Sequence, residues 1–200
     1  MSGLSIATVT RLPRYLRYLE ELDVQTVSSD ELAGAADITA ANVRRDLAAL
    51  GFQGTRGVGY SGAELRDRIR RELGIDKRRK VGIVGAGNLG TALARYSGLS
   101  RRGFDVAVIY DVDTQRVGQE IAGLTIRHVD LMAADLGGGL FDMAILAVPA
   151  AAAQQVTDAL VAAGVASILN FAPARVAVPT TVALRQVDLS NELQILSYYG

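Results

Sequence analysis

Leu12, Tyr15, Leu16, Leu19 and Leu22 recur at the spacing of one helix face, and Pro13 falls near the start of that predicted helix, where its missing N–H is harmless. Ser28 and Glu31 have the spacing of a capping box, which predicts a short second helix running to Ala36. Thr39 is placed to cap a third helix over residues 40–50, ended by Gly51 in a left-handed conformation. On that helix Val43, Leu47 and Leu50 share a face, while Asn42, Arg44, Arg45 and Ala48 fall largely outside it. The pattern then changes. Residues 52–60, with glycines at 54, 57 and 59, predict a hairpin with Arg56 at its tip. A second capping box, Ser61 with Glu64, opens a fourth helix with Leu65, Ile69 and Leu73 inward and arginines outside. Gly74 ends it, and residues 75–80 read as a linker.

From Val81 onward short β-rich runs at 81–84, 106–110, 143–148 and 167–170 alternate with helical stretches at 91–99 and 151–163. Such alternation predicts a parallel sheet covered on both faces. The expected fold class is α/β. It comprises an N-terminal winged-helix (helix-turn-helix) domain with linker over 1–80, a Rossmann domain over 81–187, and a C-terminal helix over 188–200.

Half of the 200 residues are hydrophobic and 21% are charged, which suits packed domains rather than disorder. The chain has no Cys and one His, so disulfides, thiolate zinc sites and multi-histidine metal sites are excluded, and no metal is expected. Asp142 and Pro149 interrupt the most apolar stretch, so no membrane span is expected. The opening MSGLSIATVTRLPR has no basic start followed by an apolar core, and the chain reads as a soluble cytoplasmic protein. Zero net charge hides an asymmetry: residues 1–80 carry +3 and residues 81–200 carry −3. The excess is concentrated at 42–80, with 11 basic to 5 acidic residues, which suits either a polyanionic partner or a solvated helix face.

Gly85-Ala86-Gly87-Asn88-Leu89-Gly90 follows a predicted strand and opens a predicted helix, the context that gives GxGxxG its meaning. Gly85 permits the tight turn, Gly87 a close pyrophosphate, and Gly90 close helix–sheet packing, while the helix N-terminus offers N–H donors. Asp111 stands 21 residues past Gly90, where a carboxylate accepts bonds from the adenosine ribose hydroxyls and repels a 2′-phosphate. Val112-Asp113 supplies no compensating arginine, so the expected ligand is NAD(H) rather than NADP(H). The same loop is compatible with a Rossmann-like turn that binds nothing, or with another nucleotide such as coenzyme A. An enzyme reading is weak. Hydride transfer needs a group that moves a proton, yet both lysines, Lys77 and Lys80, precede the nucleotide domain. The sole imidazole, His128, sits at a predicted strand end, and no length remains for a substrate domain.

Three helices, a short hairpin and a basic fourth helix make a winged helix, a DNA-binding form in which one helix enters the major groove. The candidate recognition helix is 39–50, with Arg44, Arg45 and Asn42 able to reach base edges or phosphates. Arg56 on the wing is placed for the adjacent minor groove or its phosphates. A winged helix used for protein contacts is the alternative.

Taken together the residues resemble the bacterial redox-sensing repressor family Rex over essentially the full chain. The matching stretches are Arg11-Leu12-Pro13-Arg14-Tyr15-Leu16-Arg17-Tyr18-Leu19, Val43-Arg44-Arg45-Asp46-Leu47 and Gly57-Val58-Gly59-Tyr60. Further along come residues 85–90 with Ala92-Leu93-Ala94-Arg95-Tyr96, then His128-Val129-Asp130-Leu131, Ala147-Val148-Pro149 and Leu169-Asn170-Phe171-Ala172-Pro173. The resemblance implies a homodimer that binds double-stranded DNA at an inverted-repeat operator when NAD+ dominates and releases it when NADH accumulates. It implies cofactor contacts from Gly85, Ala86, Gly87, Asn88, Leu89, Gly90, Tyr96, Asp111, Val148, Pro149, Asn170 and Asp188. It implies DNA contacts from Arg14, Asn42, Arg44, Arg45, Arg56, Gly57 and Tyr60. It also implies that the C-terminal helix swaps onto the partner. Ser190 can cap that helix, with Leu193, Ile195, Leu196 and Tyr199 inward. Leu189 stands where some relatives carry an aromatic, and the sequence stops at Gly200 where relatives often continue, so a shortened swapped helix is expected. Dehydrogenase-like and interaction-module readings remain the alternatives.

Overall fold

The computed structural model describes residues 3–199, which leaves Gly200 outside the described part, and the chain divides into two compact units, one through Lys77 and one from Arg78. The first unit holds α1 (Ile6–Leu22), β1 (Thr26–Val27), α2 (Ser29–Ala36), α3 (Ala40–Ala49), β2 (Tyr60–Ser61) and α4 (Gly62–Glu72). Helix α1 starts a turn earlier than the apolar spacing suggested, because Ser5 caps it by accepting from the Thr8 N–H at 3.1 Å. Pro13 therefore lies inside the helix rather than near its start, on an exposed face where water can take up the carbonyl it leaves unpaired. Leu22 is exposed, so the inward stripe of α1 ends at Leu19.

Ser28 and Glu31 form the reciprocal capping box of α2. The second expected box is only half made: Ser61 accepts from the Glu64 N–H, and no return bond from the Glu64 carboxylate is present. Gly51 ends the helix after α3 with φ +73°. The expected hairpin is smaller than predicted. Within 52–60 the pairing among the described residues is a single Thr55–Gly59 bridge that closes a tight loop, and β2 instead pairs antiparallel with the distant β1, at Thr26–Ser61 and Val27–Tyr60. Gly57 and Gly59, at φ +79° and +98°, turn the chain too sharply for a longer ladder.

The second unit holds β3 (Arg79–Val84), α5 (Asn88–Arg95), α6 (Ser97–Arg101), β4 (Phe104–Asp111), β5 (Glu120–Ile121) and β6 (Leu124–His128). After a turn of 3-10 helix come α7 (Met132–Gly137), β7 (Met143–Leu146), α8 (Ala150–Ala162), β8 (Ser167–Asn170), β9 (Ala183–Gln186) and α9 (Leu189–Ser197). Among the described residues the strands form one sheet in the order β5-β6-β4-β3-β7-β8-β9, with every neighbouring pair parallel except β5 with β6. Counted in chain order, the six parallel strands lie 3-2-1-4-5-6, the arrangement of dinucleotide-binding folds.

Alternate residues of the central strands face two separate cores. Val84, Val108, Tyr110 and Leu146 pack with Phe141, Leu160 and Ile168 on one side, and Val81, Ile83, Ile109, Ile126 and Ile145 form the other. Two expectations are corrected here. Arg79 and Lys80 belong to β3 rather than to a linker, since they pair with Phe104 and Asp105 of β4 and the Arg79 backbone N–H donates to the Gly103 carbonyl. The helix expected over 91–99 is broken at Tyr96, whose extended backbone (ψ 99°) separates α5 from α6. No helix among the described residues is long and apolar enough to cross a membrane.

Candidate cofactor and nucleic-acid sites

The chain order reverses between β3 and β7, and the crevice beyond the carboxyl ends of these strands is the place where such sheets take ligands. A cavity of about 900 Å³ lies there. Gly85, Gly87, Asn88, Leu89, Asp111, Val148 and Pro149 line it, together with Val112, Asp113, Arg116, Phe171 and Pro173, which were not among the expected cofactor contacts. Gly85 has φ +104°, and a Cβ there would stand 2.4 Å from the Ala147 carbonyl oxygen. A Cβ on Gly90 would stand 1.8 Å from the Gly85 carbonyl oxygen, so only glycine lets α5 sit this close to β3. Around Gly87, by contrast, no atom lies within 4 Å of a built Cβ, and no side chain caps α5. That open space beside free helix N–H groups fits the pyrophosphate of a dinucleotide.

Asp111 ends β4 at the cavity wall. Its Oδ2 accepts from the Ala86 N–H at 2.7 Å and its Oδ1 from the Asp113 N–H at 2.9 Å. These bonds aim the carboxylate and leave each oxygen a further lone pair for a ribose hydroxyl. Arg116, three residues past Asp113, also reaches this end of the cavity: it donates to the Ala86 carbonyl at 2.7 Å and lies 3.5 Å from the Asp113 carboxylate. His128 ends β6 beside Asp111 in the sheet, and its Nδ1 accepts from the Asp130 N–H.

The remaining expected cofactor residues are not at the cavity wall in the single chain. Ala86 is buried in the turn. Asn170 is fully buried: its amide donates to the Ala174 carbonyl and the Gln186 side chain and accepts from the Ala172 N–H. It thereby holds the loop that carries Phe171 and Pro173. Tyr96 is 56% exposed at the α5–α6 corner. Asp188 caps α9 by accepting from the Ser190 N–H at 2.9 Å. Nor do the apolar residues of α9 face inward: Leu193, Ile195, Leu196 and Tyr199 are each more than half exposed.

In the first unit, Thr39 caps α3, and Val43, Leu47 and Leu50 are buried. Arg44 and Arg45 are exposed and partly oriented, Arg44 by a bond to the Ser29 hydroxyl at 2.9 Å and Arg45 by one to Asn42 at 3.4 Å. Arg56 and Gly57 lie at the exposed wing tip. Two expected contact residues also make contacts within the unit, Arg14 while remaining exposed. Arg14 donates to the Ala36 carbonyl at the end of α2, and Tyr60 is buried against Phe52 with ring centroids 6.4 Å apart. The arginines of α4 are largely paired: Arg66 with Asp23, Arg70 with Glu20 and Arg68 with Glu72. Asp46, which was not singled out, is buried on α3 and accepts bonds from Arg11, Tyr15 and Thr8. Burial acts to raise its pKa, but those bonds outweigh burial and hold it below the ordinary carboxylate value. An acid at the spacing of the buried Val43–Leu50 stripe was the available signal.

The fold and these sites define a winged-helix unit joined to a dinucleotide-binding Rossmann unit. Two family models match: one described as "Putative DNA-binding protein N-terminus" over residues 3–48, and one described as "CoA binding domain" over residues 76–174. The redox-sensing transcriptional repressor Rex of Streptomyces avermitilis is 50% identical over 98% of this chain and 79% of its own length. A crystal structure of RSP in complex with beta-NAD+ and operator DNA superposes with a TM-score of 0.91 at 38% identity, covering all of this chain and 93% of that one. RSP in complex with beta-NADH gives 0.87 at 38% identity over all of this chain and 95% of that one. The chain belongs to the Rex family of redox-sensing transcriptional repressors.

Proposed function

We propose that this chain is a redox-sensing transcriptional repressor and not an enzyme: it binds operator DNA through its first unit and reads the NADH/NAD+ balance in the cavity of its second. The observation that carries the reading is the pairing, in one chain, of exposed Arg44 and Arg45 on a capped helix with a glycine-lined cavity at the reversal of the sheet. The RSP structures support it, since that relative was crystallised with operator DNA and beta-NAD+ and separately with beta-NADH.

On this reading the winged-helix unit spans 1–77, the NAD(H)-binding unit 78–187, and residues 188–200 serve dimerisation. Helix α9 supports a homodimer: its apolar side chains are exposed on their own chain and need a cover, which a second copy supplies. Two copies of α3 would then meet the two halves of an inverted repeat, about one helical turn of DNA apart. The protein acts in the cytoplasm with the chromosome, and the reading calls for no metal ion.

Bound NAD+ brings a cationic nicotinamide, and NADH a neutral ring with one more hydride. Apolar walls such as Val148, Pro149 and Phe171 disfavour the cation unless a carboxylate faces it. We assign that neighbourhood to Tyr96 and the partner's Asp188, whose contact differs between the two states. Each nucleotide moves the dimer between DNA-competent and DNA-incompetent states only by its own differential affinity for those two states, and a full switch needs about 5 kcal/mol.

Two variants separate the halves of the reading. Asp111→Ala removes the ribose acceptor and the partner of two backbone N–H groups. NADH affinity measured by its fluorescence is expected to fall 10- to 100-fold, about 1.4 to 3 kcal/mol, and operator binding should persist in NADH. Unchanged NADH affinity would take Asp111 out of the site. Arg45→Ala is expected to weaken operator binding by about 1–3 kcal/mol with NADH affinity intact. If operator affinity did not change, α3 would not be the reading helix.

A further inference from the structure

The side chain of Asp46 is 1% exposed, yet it lies on α3 between Arg45 and Leu47, one residue from the group offered to DNA. Arg11 donates to both of its oxygens at 2.6 Å, the Tyr15 hydroxyl to Oδ2 at 2.7 Å and the Thr8 hydroxyl to Oδ1 at 2.9 Å. All three donors stand on α1, at 8, 11 and 15, which places them on one face over two turns. Because the Thr8 proton goes to Asp46, the Ser5 hydroxyl, 2.9 Å away, must donate to Thr8, and the network ends at the α1 cap. We propose that Asp46 is a positioning residue for operator recognition: through this network it fixes the rotation of α3 about its own axis, and so the direction in which Asn42, Arg44 and Arg45 leave the helix. The proposal rests on the reading of α3 as the recognition helix.

Stability alone does not call for this arrangement. Val43, Leu47 and Leu50 already bury the inner face of α3, and a buried ion pair is commonly no more stabilising than apolar residues of the same volume. What an apolar contact lacks is direction. Leucine packed on leucine tolerates small rotations, whereas four bonds converging on one carboxylate, two of them from the planar fork of Arg11, do not. The geometry makes rotation costly for recognition. At the radius of a helix with its side chains, about 5–6 Å, a 20° turn moves a surface group by about 2 Å. Hydrogen bonds to base edges allow only about half an ångström.

Three variants, studied in the full-length chain, test this. The readout is the ratio of affinities for an inverted-repeat operator and a scrambled duplex at fixed salt, with thermal melting alongside. Asp46→Asn is expected to lower the ratio at least tenfold with scrambled-duplex binding unchanged or tighter, since the Arg11 charge is freed, and with NADH affinity unaltered. A triple variant, Arg11→Met, Tyr15→Phe and Asp46→Leu, removes the polar network without changing net charge. It is expected to melt at or above the parent temperature and still discriminate at least tenfold less well. Tyr15→Phe, which deletes one bond and keeps the packing, should lower the ratio about threefold. An apolar triple variant that folds and keeps parental discrimination, or a Tyr15→Phe chain with an unchanged ratio, would overturn the proposal. A parent chain that shows no preference for the operator would instead defeat the recognition reading.

Discussion

A Gly90→Ala chain is expected to bind its operator normally and to ignore NADH altogether. The added Cβ would meet the Gly85 carbonyl oxygen at 1.8 Å and the Gly85 carbonyl carbon at 3.0 Å. Both atoms belong to backbone, so no side-chain rotation relieves the overlap, and α5 must withdraw from β3. The N–H groups at the start of α5 withdraw with it, away from the pyrophosphate. Losing two charge-assisted bonds of this kind costs at least about 3 kcal/mol, a hundredfold or more in NADH affinity. Overpacking itself costs about 1–3 kcal/mol, within what a domain can absorb. The first unit has its own core, and α3 keeps its cap and its buried face. Titration calorimetry with NADH and duplex binding with the same preparation check both halves. NADH affinity within threefold of the parent would mean that the crevice between β3 and β7 is not the cofactor site.

The second large effect concerns α9. Leu193→Asp combined with Leu196→Asp is expected to leave each chain folded and to abolish the dimer. Both side chains are about two-thirds exposed on their own chain, so their replacement removes nothing from either unit's core, whereas two carboxylates would face an apolar partner surface. A monomer loses the gain from binding two half-sites with one linked pair of helices, which is worth roughly 10²–10⁴ in affinity. Operator affinity should fall by that factor, while binding to a duplex with a single half-site should not change. Sedimentation velocity gives the oligomeric state directly. A variant that stays dimeric with parental operator affinity would place the dimer interface elsewhere.

Much of this was legible in the sequence because the signals were local. Ser28 with Glu31, Thr39, and Gly51 and Gly74 mark helix ends through interactions spanning three or four residues. Gly85, Gly87 and Gly90 together with Asp111 report a strand, a turn and a helix N-terminus in one stretch of chain. What the sequence hid depends on distant partners. Asp46 shares the spacing of the buried stripe, but the partners that offset its burial, Arg11 and Tyr15, lie 35 and 31 residues away. Nothing local shows that Arg14 also bonds the Ala36 carbonyl or that Tyr60 is buried against Phe52. The edge strand β9 and helix α7 bury too few side chains to write a period into the sequence. The break at Tyr96 left no proline behind, only a change of backbone angle at one residue.

The central claim is that cofactor in the second unit governs DNA binding by the first. It is tested most directly by fluorescence anisotropy of a labelled inverted-repeat duplex at fixed salt, with a scrambled duplex as control and NADH and NAD+ added separately. The account predicts specific binding that NADH releases and that equal NAD+ releases far less. Specific binding indifferent to both nucleotides would contradict it.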